Sequence, residues 1–178
     1  MKQKGQQDCS FSQTIKRKEM KKGLIMFVVG LIIGVALTIL LIFAVAPGKM
    51  FIEKESKLGF QETVEAIVKS AADNHWSVSH QYDLQATMKK NGFEVAPVTV
   101  LSLCNPQYAH LVLEGTDERV VSALMPCRVS VYEKNGKTYV SMMNASYFSR
   151  LLGKKIDGVM TATTVDNLKI IEPVLAAK

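Results

Sequence analysis

The apolar positions of this chain fall into two regimes. From Gly23 to Ala46, GLIMFVVGLIIGVALTILLIFAVA, they form an unbroken run with no charged residue and a single hydroxyl, Thr38. About 20 apolar residues cross a bilayer core of roughly 30 Å as a helix. A helix on the surface of a soluble fold would show a polar stripe, and this run has none. It predicts one transmembrane helix. Ala44-Val45-Ala46 also has the small-x-small form of a signal-peptide cleavage site. The run is longer than the roughly 7–15 residues of a signal core, and Pro47 directly after the bond fits an extended protease-bound strand poorly. An uncleaved signal anchor is expected, with Ala46 to Lys49 as a short link.

Beyond the link, apolar positions alternate or recur at helical spacing. Met50 to Ser56 alternates and suits a first strand. Phe60, Val64, Ile67, Val68 and Ala71 recur at the 3, 4 and 7 spacings of an amphipathic helix, Phe60 to Asn74. Trp76 to Tyr82 alternates again. Asp83 is placed to cap a helix from Leu84 to Lys90, which Asn91-Gly92 stops. Val95 to Cys104 is β-branched and apolar, the pattern of a central strand. Asn105-Pro106 then supplies an N-cap and a first-turn proline for a helix from Pro106 to Glu114. Arg128 to Met143 reads as two alternating strands around Asn135-Gly136, a strong hairpin signal. A short helix over Ala145 to Leu152 and a terminal helix over Thr164 to Ala177, broken at Pro173, complete the order. Helices alternating with strands, plus one hairpin, predict an α+β fold: a two-layer sandwich of a small mixed sheet and helices, over residues 49–178, preceded by one transmembrane helix.

Charge adds a direction. Of the 178 residues, 48% are hydrophobic and the net charge is +6. The charge is concentrated before the span, where Lys2, Lys4, Lys16, Arg17, Lys18, Lys21 and Lys22 face only Asp8 and Glu19. Segments rich in Lys and Arg stay on the cytoplasmic side. Residues 1–22 are therefore expected as a cytoplasmic tail against an anionic membrane surface, residues 23–46 as the anchor in the cell (inner) membrane, and the remainder as an extracytoplasmic domain. From Pro47 onward, 15 basic residues stand against 14 acidic ones, so nucleic-acid binding by the domain is not expected. Cys9, in the tail, is expected as a reduced thiol. Cys104 and Cys127 lie on the side where disulfides persist.

The stretches SKLGFQETVEAIVKSAADNHWSV, YDLQATMKKNGF, CNPQYAHLVL and MPCRVSVYEKNGKTYVSMMNASYFSRLL resemble the domain-of-unknown-function family 302. The resemblance runs from about Lys49 to Leu152, and rests most on Phe60 with Glu62-Thr63, Cys104-Asn105-Pro106, and Met125-Pro126-Cys127 leading to Val131-Tyr132-Glu133. It implies a small α+β domain that often dimerises, and it implies no catalysed reaction. Two positions depart from the family pattern. His75 stands before the tryptophan where the family often has glycine, and Asn144-Ala145 stands where a proline-containing dipeptide is common.

The candidate chemistry centres on Cys104 and Cys127. Cys104 precedes a helix start, where backbone N–H groups and the helix dipole favour a thiolate. Three readings stay open. The pair forms a structural disulfide, worth about 3–4 kcal/mol for a loop of this length. Or it cycles, with Cys104 as nucleophile and Cys127 as resolving thiol. Or Cys104, His110, Met125 and Cys127 hold a soft metal, although they lack the tight spacing of a metal motif. His75 and His80 are an odd number apart and do not share a strand face. Trp76 is expected in the core, Asp83 as a helix cap, and Glu62 as a first-turn acid. Asn144-Ala145-Ser146 matches a glycosylation sequon. No nucleophile-elbow, phosphate-loop or zincin motif is present. Gly30 and Gly34 form a small-xxx-small face that, with the family's dimers, points to a homodimer. The first expectation is therefore a membrane-anchored binding or interaction module with a cysteine pair, for which the sequence discloses no reaction, with no cofactor and an unidentified ligand. The alternatives are a thiol–disulfide redox protein and a soft-metal binder.

Overall fold

The computed structural model describes residues 3–177, with the side chains of 22–24, 26–41, 43, 44 and 48–177. Cys9 and most of the basic tail's side chains fall outside that set. Helix α1 spans Gln3–Met50, so residues 46–49 lie in its last turns and not in a separate link. Within it Lys22–Leu41 is long and apolar enough to cross a membrane, and none of it is buried within the protein. The chain divides into two compact units between Pro47 and Gly48.

The second unit is built on β1 (Phe51–Glu55), α2 (Phe60–Asp73), β2 (Ser77–Asp83), α3 (Leu84–Lys90), β3 (Val98–Cys104), α4 (Pro106–Leu113), β4 (Cys127–Lys134), β5 (Lys137–Met143) and α5 (Lys154–Ile171). The five strands form one sheet in the order β1-β5-β4-β3-β2. Every pair in it is antiparallel, so the expected mixed sheet is not found. From β2 to β5 each strand lies beside the next in sequence, with the chain reversed at every step. The early strand β1 is added at the far edge, antiparallel to β5.

Local chemistry sets the boundaries. Oδ1 of Asp83 accepts from the Ala86 N–H at 2.8 Å, the expected cap of α3. Asn105 does the same for α4, accepting from the Gln107 N–H at 2.9 Å. Glu62 reaches back to the Gly59 N–H at 3.2 Å. The hairpin turns at Asn135 and Gly136, with φ of 55° and 73°. The third strand starts at Val98, later than the pattern implied, because Pro97 has no N–H for the ladder. His75 lies outside β2 in the left-handed region, at φ 61°.

Strand alternation sorts the sheet into two faces. Leu101 pairs with Val129, which pairs with Met142, and Val131 pairs with Val140. These residues meet Val64, Ile67 and Ala71 of α2 and Ile170 and Ile171 of α5 in the main core. Each large aliphatic side chain so buried contributes about 1.5–3 kcal/mol. The opposite face carries Tyr132, Tyr139, Lys134, Lys137, Glu53 and Glu55. There the two tyrosine rings stack at 6.0 Å, and Lys137 pairs with Glu55 at 2.8 Å.

Three elements differ from the sequence pattern. Residues 145–152 form two 3-10 turns, Ala145–Tyr147 and Ser149–Leu152, instead of one helix. A further 3-10 segment, Glu118–Leu124, follows α4. The last helix begins at Lys154 and ends at Ile171, ahead of Pro173, instead of spanning 164–177. Together these elements build a second apolar cluster, Val112, Val121, Ile156 and Met160, beyond the end of the main core.

Candidate ligand-binding site

The end of the sheet at which β3 stops and β4 begins carries both Cys104 and Cys127. Leu103, not Cys104, is the register partner of Cys127. Cys104 and Cys127 are both free thiols and both half-buried. They line one cavity of about 240 Å³.

The cavity lies where the two apolar clusters meet. Its sheet wall is Leu103, Cys127, Met142 and Met143, and Trp76 closes one side. Tyr108, Ala109 and Val112 of α4 form a second wall, and Val121 with Ala123, Leu124 and Met125 a third. Phe148 and the α5 residues Val159, Met160, Thr163, Thr164 and Asn167 form the last. Trp76, 4% exposed, meets the Tyr108 ring at 5.8 Å. The Tyr108 hydroxyl donates to Asp166 at 3.0 Å, which fixes the ring, and that hydrogen bond raises the phenol's pKa. The Met125–Pro126 peptide bond, on the rim, is cis.

One group in this apolar setting stands out. Asn167 is 4% exposed, and its Oδ1 has no hydrogen-bond partner. Its neighbour is Cys127. Burial pushes the Cys127 thiol up, and the neighbouring Asn167 and Thr163 side chains pull it partly back. The carboxamide of Asn167 thus lies beside Cys127, with its Oδ1 unpaired. Thr163 and Thr164 give their hydroxyls to the Met160 carbonyl, at 3.0 and 2.7 Å, and do not compete for that acceptor.

Of the residues singled out in the sequence, Cys104, Met125 and Cys127 come together here. His110 does not: its side chain is 73% exposed and sits 3.4 Å from Glu114 on the outside of α4. No cluster of three or more His, Cys, Asp or Glu residues suited to a metal occurs among the described residues. Asn167, Thr163 and Met160 were not expected. Their signal was available, because polar residues at i and i+4 fall on the buried side of a helix that is otherwise apolar there.

A five-stranded antiparallel sheet, helices packed on its core face, and a thiol-lined cavity at one end define a small α+β domain. The chain belongs to the family described as "Domain of unknown function DUF302", which it matches over residues 52–173. Among solved structures it is similar to the crystal structure of an uncharacterized conserved DUF302 protein from Bacillus stearothermophilus. That likeness has 20% identity and a TM-score of 0.65, and covers 70% of this chain and 98% of that one. At that identity the likeness shows the fold alone. No curated protein matches the chain.

Proposed function

We propose that the domain is a small-molecule binding module, held at a membrane by residues 23–46, and that the cavity beside Cys127 is its binding site. The observation that carries this is a cavity of about 240 Å³ lined mostly by apolar side chains, Trp76, Tyr108, Met142 and Phe148 among them, with Cys127 and the buried Asn167 in its wall. The volume exceeds the roughly 150 Å³ that accepts benzene in an engineered core. The positive flank of the span places the domain outside the cytoplasm in this reading.

Trp76 is the chain's single tryptophan and lines the cavity. Its emission is therefore a direct readout of occupancy. In the full chain, in lipid nanodiscs, small apolar compounds are expected to shift that emission saturably. Ala109→Phe, which fills the cavity from α4, is expected to abolish the shift. If no apolar compound of fitting size produces a saturable change, the reading fails.

A second reading keeps the thiol pair as the working chemistry. It is supported by Cys104 and Cys127 lining the same cavity. Thiol titration of the full chain before and after mild reductant tests it: an unchanged count of two accessible exported thiols sinks it. A soft cation would find Cys104, Met125 and Cys127 here, without His110. An anaerobic copper(I) titration that retains no metal removes that option. Gly30 and Gly34 have open space beside them, which would let the spans of two copies pack closely. Cross-linking of the full chain that is indifferent to Gly34→Ile would rule that contact out.

A further inference from the structure

We infer that residues 144–152 dock on a lipid surface: they rest in the headgroup layer of the leaflet from which the chain emerges, with Tyr147, Leu151 and Leu152 at the acyl boundary and Arg150 and Lys154 against anionic headgroups. The inference rests on the membrane-anchor reading above and adds the partner of one end of the domain.

Chain length decides where this segment starts. The apolar run ends at Ala46. Lys49 is three residues further on, about 4.5 Å along a helix and at most about 10 Å if extended. The headgroup layer between hydrocarbon and water is about 5–7 Å deep on each side. Lys49 therefore lies at that layer whatever the angle between span and domain. Asn144 is tied to the same point. Its side-chain amide donates to the Lys49 carbonyl at 3.1 Å, and its backbone N–H to the Met50 carbonyl at 2.8 Å. Beside it, Phe51 pairs with Met143 in the ladder of β1 and β5.

The surface here suits a bilayer interface. Leu151 is 88% exposed, and Met50, Phe51, Met143, Tyr147 and Leu152 are exposed as well. Single exposed apolar residues are ordinary, but these follow one another along the chain and across one ladder. No acidic residue occurs between Met143 and Ile156, the stretch that holds Arg150, Lys154 and Lys155. Lys155 is engaged with Glu114 at 3.3 Å, whereas Arg150 and Lys154 are exposed. Glu53, two positions past Phe51, is held by Tyr132 and Lys134. Aliphatic and aromatic groups enter the acyl boundary, and basic groups beside them meet anionic lipid.

The domain carries its own control. Phe93 is 62% exposed and lies between α3 and β3, which leave and rejoin the sheet at its opposite end. It is an exposed aromatic without a tether to the span.

The test places one added tryptophan at each position. Leu151→Trp and Phe93→Trp are compared in the full chain, in nanodiscs of phosphatidylcholine and phosphatidylglycerol with or without bromine on the upper acyl chains. Bromine quenches only tryptophan that reaches it. The wild-type chain, with Trp76 alone, gives the background. The signal added by Leu151→Trp is expected to fall by about half or more in brominated discs, and that added by Phe93→Trp to stay unchanged. Adding Arg150→Glu and Lys154→Glu is expected to cut the quenching at 151 about two-fold or more. In the unmodified chain, the amides of 149–152 are expected to exchange hydrogen more slowly in these discs than in phosphatidylcholine alone. Equal quenching at 151 and 93 in a chain that copurifies with the discs overturns the inference and leaves the anchor reading intact. So does a blue-shifted but unquenched emission at 151, which marks a protein surface covering the segment. Undiminished quenching after charge reversal, or equal exchange in both discs, overturns the assignment of an anionic surface. A chain that does not copurify with the discs overturns the anchor reading itself.

Discussion

Cys127 faces Leu103 across the ladder of β3 and β4, one position out of register with Cys104. Adjacent residues on a strand point to opposite faces, so the two cysteines experience different surroundings. Cys127 lies among Thr163, Asn167 and the core, while Cys104 sits at the strand end before a helix cap.

The two cysteines are accordingly expected to respond unequally to substitution. Cys127→Ala removes a side chain packed against the core, at a cost of about 1–3 kcal/mol. Cys104→Ala should cost under about 1 kcal/mol, as for a half-exposed side chain. The double variant should be close to additive. Urea denaturation of the full chain, followed by Trp76 emission, measures all three. Equal single losses with no further loss in the double variant would show instead that one bond joins the pair.

The raised Cys127 pKa makes a pH prediction. Its thiol lies above an ordinary value near 9.0 because it is buried. A group raised in the folded state contributes stability that is complete below its unfolded pKa and lost as pH rises through the folded one. The stability advantage of wild type over Cys127→Ala should therefore be constant around about pH 7 and shrink above about pH 9. Denaturant midpoints of the two proteins across that range check it. An advantage that grows with pH would contradict the buried environment.

His75 occupies the left-handed region at φ 61°. The Cβ of an L residue is crowded there by about 1–2 kcal/mol, and glycine is free of that crowding but loses more entropy on folding. His75→Gly should raise stability by about 0.5–1 kcal/mol net, read as a higher melting temperature.

On the open face of the sheet, the Tyr132 hydroxyl donates to Glu53 across β4 and β1. Burial and that hydrogen bond push the Tyr132 phenol up to about 12, and the same bond holds the Glu53 carboxyl below 4.5. Tyr132→Phe should move the Glu53 titration, followed by carbon NMR, back toward 4.5. The Glu53 contribution is present above its unfolded pKa and is lost as pH falls through the folded one. Both groups are partly exposed, so the stability change should be under about 1 kcal/mol. An unmoved Glu53 titration would mean the bond does not persist in solution.

Most of the fold was legible because its signals were local. The caps at Asp83 and Asn105, the turn at Asn135-Gly136 and the periodicity of Phe60 to Ala71 each act within a few residues. The sheet's sense was not legible. That β1 joins β5 is decided by contacts more than eighty positions apart. The last helix was placed too late for a related reason. Its buried side carries Thr163, Thr164 and Asn167 where a core-facing stripe would be apolar, so the hydrophobic rhythm fades where the cavity begins. The same polarity that hid the helix marks the candidate site. Cys104 and Cys127 were recognisable as a pair of interest, but their one-position offset belongs to the register of β3 and β4.

The Ser56 hydroxyl is held between Thr63 and the carbonyl of Val174, a partner 118 positions away. Lys57 reaches the same carbonyl, and Ala176 donates back to Glu55. The first strand is thus stitched to the last residues of the described chain. A ribosome delivers the two ends of that stitch 118 residues apart, so β1 emerges before the other strands of the sheet and waits longest for its neighbours. Helix α2 and the hairpin of β4 and β5 can settle from nearby contacts as they appear, but the edge of the sheet closes only when residue 174 has been made. A chain truncated before Val174 would leave β1 without that anchor and expose an edge that other strands can join.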